Sequence, residues 1–373
     1  MIRVLHVIDH LDLGGAQTAL LDMLGCRDRD AFAVEVAVMH GRGSFAATLE
    51  KMGIPVWELS ATKWPPAYLA GFLARLASGR YDVLHFHLQG ANWIAKPLAA
   101  LTGHPVRISH DHASGDIRFR GMASLVPDAL AHRFSSRVVA VSGGVRDFLR
   151  QWEAVPDDVV EVISNGVNTA NFSPGTLEQK LAWRKKQGIP SDAFVVGAMG
   201  RLAPEKNFIM VPELARRHPG VYFVLAGEGP EASAVKARAK DLGVDDRVRL
   251  LGSVGDRPAF YQALDVFLLP SLYEGLPMVL LEAMAARVPV LASRLEGIAA
   301  AMPEEEDGLL ACPDDIEDFS RQLRRLIESP ALRETLAAGA IRKVRDSFSA
   351  SETSRRVEAI YRQELAKMLS TGK

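Results

Sequence analysis

The chain has two cysteines in 373 residues, Cys26 and Cys312. They lie far apart and form no metal or redox spacing, which excludes a disulfide framework and leaves a reduced, cytoplasmic protein as the simple expectation. Long apolar runs are also missing. No uncharged apolar stretch approaches the roughly 18 residues that span a bilayer. The start, Met1 to Asp9, has an apolar part too short for a signal peptide and is interrupted by His6. Any membrane contact is therefore expected to be peripheral. Net charge is almost absent: 44 Lys and Arg against 45 Asp and Glu give −1. This excludes a molecule that binds nucleic acid by overall charge. No internal repeat or low-complexity tract occurs.

What is present is ordinary globular composition, 48% hydrophobic and 24% charged. The length fits about two domains at roughly 150 residues each. Charge is uneven along the chain. Residues 61–150 hold eleven Lys and Arg and five Asp, a local excess of +6. Such a region suits an anionic partner or a membrane surface as well as it suits a solvated face.

Short apolar runs alternate with helical stretches from end to end, which predicts an α/β fold with parallel sheets. Val4 to Ile8 reads as a strand, followed by a turn with Gly14 and Gly15 and a helix from Ala16. Strand, Gly-Gly and helix start make anion-binding geometry, although the full Gly-x-Gly-x-x-Gly pattern is missing. Two later strands end in paired histidines, His85 and His87, then His110 and His112. Strand ends form the ligand edge of a doubly wound sheet. The four histidines invite a metal reading, but their spacing fits no tetrahedral template and no cysteine joins them, so no metal is expected. Between Asp116 and Arg137, Arg118 and Arg120 interleave with apolar residues, a pattern open to an anionic lipid-linked acceptor, a membrane interface or a plain connecting helix. Residues 168–192, rich in Pro and Gly, read as the hinge between halves. In the second half, Arg201 and Lys206 stand just past the strand Ala193–Gly200 and suit a diphosphate, one as a fork and one as a point charge. The strand Val266–Leu269 then leads through Glu274, Gly275, Leu276 and Pro277 into a helix carrying Glu282.

Taken together, Gly14-Gly15-Ala16, Asn165-Gly166-Val167, Gly200-Arg201-Leu202, Glu205-Lys206-Asn207, Gly227-Glu228-Gly229-Pro230, Gly252 and Glu274 with Glu282 resemble the retaining glycosyltransferases of family 4. The resemblance covers nearly the whole chain. It implies a GT-B fold, two Rossmann-like doubly wound domains facing a cleft: an acceptor domain over 1–178, a nucleotide-sugar domain over 179–350, and a last helix, 351–373, returning to the first. It implies that Arg201 and Lys206 bind the donor diphosphate, Glu282 the ribose, and Glu274 the sugar hydroxyls, with the amides of Gly275 to Pro277 nearby. Gly252 would border the base. Gly14 and Gly15 would approach the diphosphate or acceptor, and His112 or His110 the donor sugar. His85, His87, Arg118 and Arg120 are left for the acceptor region. No Asp-x-Asp motif stands on the expected loop, so transfer without metal or other cofactor is expected. The partners are then a nucleotide sugar, UDP- or GDP-linked, and a saccharide or lipid-linked acceptor, with no nucleic acid. The setting is cytoplasmic or peripheral on the inner membrane face. An epimerase or hydrolase acting on sugar nucleotides is the competing expectation. Arg294 to Ile298 departs from the family pattern beside the donor site.

Overall fold

The computed structural model describes residues 1–60, 65–78, 81–104, 106–112 and 125–371. The expected acceptor residues Arg118 and Arg120 lie outside them. Among the described residues, thirteen short apolar runs form strands, all paired in parallel. β1 (Ile2–Ile8), β2 (Phe32–Val38), β3 (Val56–Glu58), β4 (Val83–His87), β5 (Val106–Asp111), β6 (Arg137–Ala140) and β7 (Val160–Val162) make one sheet in the order β3-β2-β1-β4-β5-β6-β7. β8 (Phe194–Met199), β9 (Val221–Ala226), β10 (Val248–Gly252), β11 (Val266–Leu269), β12 (Val290–Ser293) and β13 (Leu309–Ala311) make the other, ordered β10-β9-β8-β11-β12-β13. The strands are buried because both faces of a parallel sheet are covered by the crossover helices, which is why they read as continuous apolar runs. The strand order reverses once in each sheet, between β1 and β4 and between β8 and β11. At such a switch point the two flanking loops diverge and leave a crevice at the carboxyl ends of the strands.

The chain divides into two compact units, Met1–Gly166 with Ala350–Lys373, and Val167–Ser349. The helix Ala350–Thr371 therefore belongs to the first unit. Its Val357, Ile360 and Tyr361 are buried in one core cluster with Val4, Ile8, Val83 and Ile108. Polar bonds fix its register: Thr353 donates to the Ser164 carbonyl at 2.9 Å, and Arg137 pairs with Glu364 at 2.8 Å.

The stretch 168–192 is part of the second unit rather than a free hinge. Its helix, Leu177–Lys186, starts with a reciprocal capping box of Thr176 and Gln179. Arg184 on that helix is buried and donates to the carbonyls of Ala193 and Ala263 and to Asp265 at 2.7–2.9 Å. The Pro and Gly content marked the turns; the buried guanidinium that anchors them left no pattern in the sequence.

The helix expected from Ala91 to Leu101 departs from regularity. It starts earlier, with an α-helical turn at Leu88–Gly90, runs as a π-helical turn over Ala91–Ala95, and is α-helical again from Lys96. Such turns make room for side chains that a regular helix would misdirect, and here Lys96 is turned fully inward, bonding Ser109 at 2.6 Å and Ser135 at 2.9 Å. No described helix is long and apolar enough to cross a membrane.

Because the closing helix completes the first core, Ile360→Ala should destabilise that unit by roughly 2–5 kcal/mol, read as a lowered midpoint in urea unfolding.

Candidate active site

The second sheet's switch point carries the first constellation. Leaving β8, the backbone turns sharply at Gly200, whose φ of 157° few other residues adopt. The loop after β9 packs directly on this turn: a Cβ at Gly227 would lie 1.9 Å from the Gly200 carbonyl oxygen, so only glycine fits. The Leu202 amide donates to the Glu228 carbonyl at 2.9 Å, and the Gly227 amide to Gly252 at 2.7 Å. Three strand ends are thus laced together, with Gly252 at the outer one in the left-handed region (φ 69°). Arg201 emerges from this lattice exposed. Lys206 ends a short 3₁₀ turn, Pro204–Lys206, and is followed by Asn207, left-handed at φ 53°.

Across the switch point, the Leu272 amide donates to the Glu205 carbonyl at 2.8 Å, joining the loop after β11 to the loop after β8. This brings Glu274 to Lys206. Glu274 Oε1 accepts from Lys206 Nζ at 2.5 Å and from Ser271 Oγ at 2.7 Å. Gly275, Leu276 and Pro277 are buried, and Pro277 stands at the start of the helix Met278–Ala285. The segment that departs from the family pattern is built into this loop. A Cβ at Gly297 would lie 1.7 Å from the Gly275 carbonyl oxygen, and Arg294 is turned away to Glu304 at 2.6–2.8 Å.

Glu282, about one turn into the helix Met278–Ala285, has no exposed surface. Its Oε1 accepts from Arg257 and its Oε2 from the Tyr261 hydroxyl at 2.7 Å, both on the helix Arg257–Gln262. Burial pushes its carboxyl up, and Arg257 and Tyr261 push it back. Neither partner was singled out by the sequence; only the spacing of Arg257 and Tyr261, about one helical turn, hinted that they share a face.

In the first unit, the helix Gly15–Gly25 starts at the expected glycines, with Gly14 extended before it and open space where a Gly15 Cβ would stand. At this sheet's switch point Asp9, at the end of β1, accepts from the amides of Gly90 and Ala91 at 2.9 and 2.7 Å. Gly90 leaves room for this contact, since a Cβ there would come within 2.8 Å of the Asp9 carboxylate and push it aside.

The four expected histidines do come together, and His6 joins them. Register explains why: His6 lies beside His85 and His87 beside His110, and residues two apart on a strand share a face. The rings stack in a column, His6, His85, His87, His110 and His112, with neighbouring centroids 4.4–5.4 Å apart. His6 and His87 share a hydrogen bond at 2.9 Å, and His85 meets the Tyr361 hydroxyl at 2.5 Å. The acceptor contact expected of His85 and His87 does not fit this placement. Both rings are fully buried, held between neighbouring imidazoles and the closing helix. His110 is buried as well, and His112 is the one member that is half-buried.

Two triplets, His6 with His85 and His87, and His87 with His110 and His112, have nitrogens within 4.8 Å of one another. Proximity alone would allow an ion. The rings are inclined to one another by 10–32°.

The +6 stretch is less basic at the surface than its formal count. Lys96 is buried, Arg107 donates to the carbonyls of His104 and Phe134, Arg75 pairs with Glu35 and Arg137 with Glu364.

Burial holds all five rings neutral: His6, with Arg27 adding to the effect, is down to about 3, His112 is down to about 4 against the opposing pull of Asp111 and Asn165, and neighbouring imidazoles add to burial in holding the other three well below the usual imidazole range. Because the folded values are depressed, the unfolded chain binds more protons below its own value of about 6.5. Stability is therefore complete above that pH and drains away as the pH falls from about 6.5 towards 3–4. Hydrogen exchange of β4 and β5 amides should accelerate through that window, and an exchange-derived stability flat between pH 7.5 and 5 would contradict the assignment.

Two family descriptions match the chain: Glycosyl transferases group 1 over residues 179–343 and Glycosyltransferase Family 4 over residues 13–171. Among relatives, the chain is 31% identical over 318 residues to D-inositol 3-phosphate glycosyltransferase of Saccharomonospora viridis, covering 79% of this chain and 73% of the relative. It is 28% identical over 272 residues to the UDP-Gal:alpha-D-GlcNAc-diphosphoundecaprenol alpha-1,3-galactosyltransferase of Escherichia coli, covering 69% of each. Among solved structures it superposes on Anabaena HepE, crystallised with UDP-glucose, with a TM-score of 0.86 at 23% identity over all of both chains. It also superposes on WaaG, a glycosyltransferase involved in lipopolysaccharide biosynthesis, at 0.76 and 17% identity over 96% of this chain and 99% of that one.

Proposed function

This chain belongs to the group 1 glycosyltransferases of family 4, enzymes of GT-B fold that use nucleotide sugar donors, and on that premise we propose a retaining, metal-independent transfer of a hexose or N-acetylhexosamine from a UDP- or GDP-linked donor to a cell-envelope, lipid-linked or exopolysaccharide acceptor. The observation that carries the assignment of the site is the Lys206–Glu274 contact. A cation suited to a diphosphate and a carboxylate suited to sugar hydroxyls, 68 residues apart in sequence, meet at the crevice of the second sheet.

In this reading Arg201 and Lys206 take the charge that builds on the leaving diphosphate, helped by the amides of Gly275 and Leu276 and the start of the helix behind them. Two side-chain cations and a helix N-terminus supply that stabilisation without an ion. Glu274 accepts sugar hydroxyls. We read it as a binding carboxylate rather than a nucleophile, with its Oε1 held by Lys206 and Ser271. The bond from the anomeric carbon to the phosphate oxygen breaks, the acceptor oxygen bonds to the same face of that carbon, and the acceptor proton passes to the departing phosphate. Glu282 receives the ribose hydroxyls and Gly252 borders the base. In the first unit Gly14 and Gly15 offer backbone amides, and His112, the least buried of the column, is preferred over His110 for the sugar. UDP is the favoured carrier nucleotide, supported by the E. coli relative's donor and by the UDP-glucose complex of HepE. For a lipid-linked acceptor, peripheral membrane contact is assigned to the first unit, where Val126 (64% exposed) and Leu130 (51%) sit one turn apart.

Glu274→Gln and Lys206→Met should each lower kcat/KM by roughly 10²–10³, the scale of one lost transition-state contact, with the melting temperature within a few degrees of the parent. Thermal stabilisation by UDP, GDP and ADP should rank the bases. Conversion of the donor to an epimer without acceptor would overturn the transferase reading. Flotation with anionic vesicles at low salt tests the membrane contact, and recovery of all protein in the pellet would retire it.

A further inference from the structure

The group around Glu282 carries more than a ribose contact. A carboxylate with no exposed surface is held by two donors on a neighbouring helix, Arg257 on one oxygen and Tyr261 on the other. Arg257 and Tyr261 are also the charged and titratable groups that bear on it from the elements packed around it. An ionised carboxylate offers about four lone-pair sites, more than these two donors fill. Of the three side chains only Arg257 reaches the surface, at 15% exposed, and any ligand therefore comes to Glu282 beside the guanidinium. The tyrosine is fully buried and wedged between Phe172, Phe260 and Phe267, which fixes where its hydroxyl points.

We propose that Arg257 is a positioning residue for the donor nucleotide: it keeps the buried Glu282 ionised and oriented, with Tyr261 as the fixed second support, so that one lone pair on each oxygen faces the two ribose hydroxyls. The proposal rests on Glu282 being the acid that receives the ribose. A carboxylate taken out of water is stable as an anion only when paired. Without the guanidinium, Glu282 takes up a proton, one oxygen ceases to be an acceptor, and the carboxyl is free to rotate. The diphosphate and sugar contacts, which are made by Arg201, Lys206 and Glu274 on other loops, are untouched. The loss is therefore one of donor binding and not of the chemical step.

The test compares R257M, R257K and E282Q by donor KM and kcat between pH 6 and 9, with melting temperature and circular dichroism confirming the fold. At pH 7 R257M should raise the donor KM roughly tenfold, the equivalent of one charged hydrogen bond, with kcat within about twofold. The penalty should shrink as the pH rises and Glu282 ionises unaided, while the parent KM stays flat. R257K should restore most of the affinity. A folded R257M with unchanged donor KM, or one whose KM penalty is the same at every pH, overturns the proposal. E282Q separates the two layers: if E282Q weakens the donor and R257M does not, the role of Arg257 fails and the ribose assignment stands; if E282Q itself leaves the donor KM unchanged, the ribose assignment fails first.

Discussion

The ion pair between Lys206 and Glu274 is the contact on which the second unit's architecture converges. It exists because two loops leave the sheet on either side of the β8–β11 reversal, and because the Leu272 amide and the Glu205 carbonyl hold those loops at a fixed distance. Two nearby glycines serve the same end. Gly227 lets the loop after β9 rest on the turn at Gly200, and Gly297 lets the next helix rest on the turn at Gly275. Remove the close approach of backbone to backbone, and the charged side chains would still be present but would no longer share one site.

The first unit solves a different problem at the matching place in its sheet. Its switch point is bracketed by the Asp9 carboxylate on two backbone amides. Beneath it runs a column of five imidazoles where a parallel sheet ordinarily places aliphatic residues. Neutral imidazoles can be buried at moderate cost when they stack and share hydrogen bonds, and here His6 bonds His87 while His85 bonds Tyr361 of the closing helix. The column thins towards the strand ends, from rings with no exposure to the half-buried His112, so a chemical gradient from core to surface is built from one residue type.

Much of the fold was legible in the sequence, because a parallel strand is written as a continuous apolar run and each run was bounded by Gly, Pro or polar residues. The site was legible in part. Arg201, Lys206, Glu274 and Glu282 stood at the strand–helix junctions where chemistry is expected. What could not be read was pairing across long separations. His6 was hidden inside an apolar strand until the register placed it beside His85. Tyr261 and Arg257 became visible only when their helix packed on the one bearing Glu282. The packing of 168–192 was hidden for the same reason, since nothing local marks Arg184 as the anchor of its helix. The excess of positive charge over 61–150 misled in magnitude, because formal charge counts buried and paired side chains as if they were free.

The closing helix has a consequence for how this chain comes into being. The first unit's core lacks one wall until Val357, Ile360 and Tyr361 arrive, and those residues are made after the whole of the second unit. At a synthesis rate of about 5–20 residues per second, the β1–β5 face with its histidine column waits through many seconds of translation as an open apolar surface. The second unit, contiguous in sequence, can close as soon as it leaves the ribosome. The order of completion is therefore the reverse of the order of synthesis.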